Sequence, residues 1–112
     1  MAIPHAFPGM PVDLRADRPS LKEAQTTALV KGQAFEAIRL VLPAGHEVCH
    51  GRQVEGPITV QCLEGRAAVI VGDETHELPA GYWLYLMGGD PHTLRGMEDS
   101  LVLLTILFPQ RS

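Results

Sequence analysis

Along this chain, apolar and polar side chains alternate with a period of two over short segments. In the segment from Ala34 to Leu42, Ile38, Leu40 and Leu42 share one side while Ala37, Arg39 and Val41 share the other. That period belongs to a strand with one buried face. Similar segments run from Thr26 to Lys31, Ile58 to Leu63, Ala67 to Val71, Thr75 to Leu78, Tyr82 to Leu86, His92 to Arg95 and Leu101 to Phe108. Gly32-Gln33 and Gly72-Asp73 separate neighbouring segments as hairpin turns do. Glu64-Gly65 breaks another pair. No stretch with helical period exceeds two turns. The pattern predicts an all-β antiparallel sandwich or jelly-roll barrel rather than βαβ units. Residues 1–20 hold four prolines and little periodicity, which predicts an irregular N-terminal arm over 1–24 and one barrel domain over 25–112. Ser20-Leu21-Lys22-Glu23 fits a capping box, but no apolar helical run follows, so one short turn is the most it supports.

The tetrapeptide Leu-Pro-Ala-Gly occurs twice, at Leu42 to Gly45 and at Leu78 to Gly81. Proline fixes one backbone angle and glycine frees another, so both copies predict tight turns between strands. Each opens a segment containing histidine: His46 and His50 after the first, His92 after the second.

Composition narrows the options. The chain has 112 residues, room for one domain with a core. The net charge is −4, and no lysine or arginine run exists, which argues against a nucleic-acid or polybasic membrane surface. The longest apolar run, Leu101 to Phe108, is too short to span a bilayer as a helix. Pro4, Pro8 and Pro11 would break an apolar signal core, so a cytoplasmic location is expected. Cys49 and Cys62 form neither a CxxC pair nor a disulfide framework, and reduced thiols are expected.

Gly45 to Gly65 and Gly81 to Gly96 resemble the two short motifs of the cupins, small jelly-roll barrels. The resemblance extends from Ala34 to Phe108 and points to a small single-domain member. In that family the first motif supplies two histidines and a glutamate between glycines. The second supplies a third histidine, and the four converge on a divalent metal inside the barrel. The second motif fits well here: Gly81, Gly89 and His92 are in place, with Met87 where proline is usual and Gly96 where asparagine closes the motif. The first keeps its frame, Gly45 and Gly65, but its ligand positions fall at Gly51, Gln53 and Ile58. None is a histidine or a carboxylate.

His50 precedes the first ligand position by one residue, and a bulge at His50-Gly51 would correct its face. The best rebuilt metal site is therefore His50, Gln53 and His92. His46 stands in reserve, because four residues of strand separate it from His50 by roughly 13 Å. Two imidazoles and an amide form a neutral set able to hold zinc, nickel, iron or copper, and weak for magnesium or calcium. A barrel without any metal is an equal expectation. Cys62 shares parity with Ile58 and Val60 and is expected to face inward as a small buried hydrophobe, with a thiol role only if His92 comes near. Trp83 and Tyr85 share a face, suited to the core or to a subunit interface. His5 and His76 are expected on the surface.

Two functions of different class follow. One is a binding barrel whose small-molecule ligand is walled by Ile58, Val60, Cys62 and Met87, with His92 as polar anchor. The other, implied by the resemblance, is a metal-dependent enzyme of dioxygenase, isomerase or decarboxylase type. It would act on a small organic acid, phenol or sugar derivative. Whether the chain is an enzyme stays open at this point, since one fold hosts many chemistries. A homodimer is expected from the aromatic strand and the family's habit of pairing through an outer sheet face.

Overall fold

The structure, a computed structural model, describes residues 5–15, 25–50, 56–89 and 91–109. Within them the chain forms nine strands and no helix. They are β1 (Thr27–Lys31), β2 (Phe35–Leu42), β3 (Glu47–His50), β4 (Ile58–Glu64), β5 (Arg66–Val71), β6 (Glu74–Pro79), β7 (Trp83–Leu86), β8 (His92–Gly96) and β9 (Ser100–Leu107).

One sheet has the order β1-β2-β9-β4-β7 and the other β3-β8-β5-β6, with every pairing between strands antiparallel. From β2 onward the chain changes sheet at every connection except the β5–β6 hairpin. That is the jelly-roll path. The alternation in the sequence predicts eight of the nine strands. It misses β3, whose four residues Glu47-Val48-Cys49-His50 carry too little pattern to stand out. Pairing with β8, not local preference, makes them a strand.

The inner faces meet in one cluster. It includes Leu40 and Leu42 of β2, Ile58, Val60 and Cys62 of β4, Val69 of β5, Leu94 of β8, and Val102 and Leu104 of β9. Each fully buried Val, Leu or Ile contributes about 1.5–3 kcal/mol. β9 lies between β2 and β4 and is therefore covered on both edges.

Both Leu-Pro-Ala-Gly copies are the same turn. The Pro43 carbonyl accepts from the His46 amide at 3.0 Å, and the Pro79 carbonyl accepts from the Tyr82 amide at 3.0 Å. The third residues, Gly45 and Gly81, have φ of 82° and 93°. A turn with positive φ at that position is of type II, which explains the glycine. The close approach of strands at the base of the barrel explains a different glycine. A Cβ at Gly96 would stand 2.7 Å from the carbonyl oxygens of both Leu42 and Pro43. The position where asparagine closes the family motif has no room here for a side chain.

Residues 5–15 form no strand or helix and lie against the outer face of the first sheet. The Ala6 amide donates to the Leu29 carbonyl at 2.8 Å, and Phe7-Pro8-Gly9-Met10 makes a third turn of the same kind. Arg39, on the outer side of β2, is only 7% exposed because the chain covers it. Its guanidinium donates to the Arg15 carbonyl at 3.0 Å and to the Gln25 carbonyl at 3.3 Å. A buried cation needs such acceptors. The capping-box segment at Ser20 lies outside the described residues.

Candidate functional site

The register of the second sheet brings the best candidates together. His50 on β3 lies directly opposite His92 on β8, and His92 lies opposite Val71 on β5. Opposed residues of an antiparallel pair have Cα atoms about 4.5–5.5 Å apart. His92 is 2% exposed and shares its face of β8 with Leu94. Among the residues whose burial is described, it is the one buried histidine.

The connections show which end of the barrel this is. β3 ends at His50 and β4 begins at Ile58, while β7 ends at Leu86 and β8 begins at His92. Ile58 lies opposite both Leu86 and Ile106 in the first sheet. One end of the sandwich thus collects His50, His92 and Val71 from one sheet and Ile58, Leu86 and Ile106 from the other. Val71, Leu86 and Phe108 are partly buried and pack against the core, so they keep accessible surface at this end.

The expected ligand wall is redistributed. Ile58, Val60 and Cys62 do face inward, but all three are at 0% exposure and pack as core. They form a floor. Met87 requires a correction: it is 64% exposed, and the Tyr85 hydroxyl donates to its sulfur at 2.8 Å. It sits one residue past the end of β7, where strand alternation no longer dictates its direction. Val71, Leu86 and Phe108 were not singled out from the sequence. The signal was present in their parity with Val69, Leu84 and Ile106.

The reserve ligand does not join. His46 is exposed, and its carbonyl accepts from the Gly96 amide at 3.0 Å, at the opposite end of the β3–β8 ladder from His92. Gln53 lies outside the described residues. Cys62 is four residues deeper along β4 than Ile58, roughly 13 Å. Its thiol donates to the Glu64 carbonyl at 3.3 Å, and burial pushes the thiol pKa up. It is a protonated core thiol and not a nucleophile served by His92. Trp83 and Tyr85 are 59% and 50% exposed on the edge strand β7, which removes the core reading for them. His5 is exposed, and His76 is half-buried with its Nε2 3.3 Å from Glu74.

The family's metal has a poor home here. At the glutamate position stands Ile58, which is wholly enclosed by apolar side chains and offers neither charge nor lone pair. Among the described residues no three His, Cys, Asp or Glu side chains gather to hold an ion. Of the family's four ligand positions only the last, His92, has a ligating side chain of the usual kind. The donor set does not fit a four-ligand divalent centre. Among the described residues, no helix is long and apolar enough to cross a membrane.

No family model and no curated protein matches the chain. Solved structures do. A conserved protein of unknown function from Streptococcus pyogenes superposes with a TM-score of 0.76 at 22% identity, over 99% of this chain and 97% of the other. An RmlC-like cupin protein from Desulfovibrio desulfuricans gives 0.72 at 26% identity, over 88% and 96%. The cupin domain of an XRE family transcriptional regulator from Enterobacter cloacae gives 0.69 at 17% identity, over 77% and 97%.

Proposed function

We propose that this chain, a small single-domain cupin in fold, is a binding barrel. It takes a small organic molecule at the His92 end of the sandwich. The fold does not choose among activities: one of its structural neighbours has unknown function and another is a domain of a transcriptional regulator. The observation that carries the reading is the buried His92 among apolar side chains, directly in register with a second histidine. Apolar walls with few convergent polar groups describe a ligand site in general. Val71, Leu86 and Phe108 supply the walls, and Ile58, Val60 and Cys62 the floor. His92 acts as the polar anchor for a hydroxyl, carbonyl or carboxyl group.

The test is a ligand-observed NMR screen of small aromatic alcohols and acids, run on tag-free wild type and on His92→Ala. The expected result is a set of fragments bound by the wild type and lost in the variant. Equal binding to both proteins would overturn the reading.

A second reading has one specific observation in its favour, the His50–His92 register. A metal-dependent enzyme would hold zinc, nickel, iron or copper with His50, Gln53 and His92. Elemental analysis of tag-free protein decides it. Near-stoichiometric metal that is lost in His92→Ala supports the enzyme, and metal-free protein of unaltered stability removes it. Independently of either reading, we propose a cytoplasmic location and a homodimer through the exposed Trp83 and Tyr85 face, which sedimentation of a Trp83→Ser variant tests.

A further inference from the structure

The outer face of the first sheet carries a cavity on the side away from the core. Residues 5–15 do not lie flat on the sheet. Between them and the sheet remains a cavity of about 600 Å³. Its floor is Leu29 of β1, Ala37 of β2 and Leu103 of β9, and its roof includes Phe7, Met10 and Leu14 of the arm. That volume falls within the range of small-molecule sites.

The lining is one-sided in its chemistry. Every lining side chain is Ala, Val, Leu, Phe, Pro or Met, so none carries a charge, a hydroxyl or an amide. A charged or strongly polar ligand would lose its hydration with nothing in return. The neighbouring charged side chains already have hydrogen-bond partners. Arg39 is occupied by the Arg15 and Gln25 carbonyls. Arg15 is bonded to Asp13 at 2.8 Å. The wholly apolar lining therefore favours a neutral occupant.

The roof is also arranged to hold its shape. It is fixed to β1 by the Ala6–Leu29 hydrogen bond, folded by the turn from Phe7 to Met10, and anchored beyond Leu14 by Arg39. Phe7 remains 66% exposed at the rim. A rigid apolar face of a second copy would meet a concave two-walled slot, whereas a compact hydrocarbon fills it.

We infer that the cleft between the N-terminal arm and the β1–β2–β9 face binds a neutral, hydrocarbon-rich small molecule, such as an alkyl chain or an unsubstituted ring system. The site is independent of the His92 end and of the reading given to it.

The experiment uses the full chain and the neutral fluorophore 1-aminoanthracene, with 1-dodecanol as competitor and the anionic fluorophore 8-anilinonaphthalene-1-sulfonate for comparison. Saturable binding of 1-aminoanthracene, displaced by 1-dodecanol and at least tenfold tighter than the anionic probe, is expected. Ala37→Phe fills the floor and should weaken the neutral probe at least tenfold while leaving the protein folded by circular dichroism. Phe7→Ala removes an exposed rim ring, which spares folding, and should weaken it about three- to tenfold. His92→Ala should leave it unchanged, so failure here and failure of the barrel reading are distinguishable. Vesicles of neutral phosphatidylcholine separate a lipid source from a free one: co-sedimentation lost in Ala37→Phe marks an acyl chain, and its absence with probe binding intact marks a free ligand. No saturable neutral binding, binding unaltered in both arm-site variants, or a dimer dissolved by Ala37→Phe without probe binding would each overturn the inference.

Discussion

Restoring the family's asparagine at position 96 should damage this protein. The Gly96 amide donates to the His46 carbonyl at 3.0 Å, and its carbonyl accepts from the Gly45 amide at 2.8 Å. A Cβ there would lie 2.7 Å from the Leu42 and Pro43 oxygens and 3.0 Å from the Glu98 oxygen. These are backbone atoms, so no side chain can swing away to make room. Overpacking of this kind costs about 1–3 kcal/mol. Moving β8 aside would weaken two hydrogen bonds, each contributing about 0.5–1.5 kcal/mol. Losing glycine's freedom in the unfolded chain offsets about 0.4–1 kcal/mol. The net is a destabilisation of about 2–3 kcal/mol, or a fall in Tm of roughly 10 °C for a domain of this size. Gly96→Ala should show most of this loss, because the clash is at Cβ. Gly81→Ala is the control: its φ is 93° but nothing lies within 4 Å of the added carbon. It should cost only the left-handed conformational term, about 1–2 kcal/mol before the same offset. Urea denaturation of the three variants ranks them. Gly96→Ala as stable as Gly81→Ala would refute the reasoning.

Ile58→Glu, which restores the family's carboxylate, should lower stability by more than about 3 kcal/mol and recruit no zinc, because the position is sealed in the core; urea midpoints and elemental analysis check both. Native protein should react with one equivalent of a thiol reagent at pH 8, at exposed Cys49, and with a second only after unfolding, since Cys62 is buried and protonated. The Cys62 pKa is raised in the fold, so its contribution to stability is complete below the ordinary thiol pKa and is lost as pH rises from there through the higher folded value; a Cys62→Ala variant should show a flatter stability profile above about pH 9. Arg39→Met should release the Arg15 and Gln25 carbonyls and speed amide exchange over residues 5–15 at least tenfold, with the barrel amides unchanged.

The barrel was legible because its strands are half-buried and alternate. Ile58, Val60 and Cys62 have inward parity in the sequence and inward positions in the fold. The twin turns were legible because proline and glycine act locally. What escaped depends on distant partners. β3 is four residues long and exists through β8. The burial of Arg39 requires an arm that starts more than twenty residues earlier. The His50–His92 pairing was reachable as a candidate, yet its register comes from the strand ladder and not from motif spacing. Met87 was misplaced because parity was carried one residue beyond the strand that enforces it.

The position of β9 has a consequence for how the chain acquires its shape during synthesis. β2 pairs with β1 on one side but finds its other partner in β9, so Phe35 must wait for Leu107 and Leu42 for Ser100. β4 waits for the same strand. Until β9 leaves the ribosome, β2 and β4 each present a bare edge of unpaired backbone groups, while the β5–β6 hairpin can already close. Folding dominated by such non-local strand pairing is slow, on the order of milliseconds to seconds. A nascent chain halted before Ser100 has no centre for its larger sheet, and chaperones or premature strand pairing will compete for those edges.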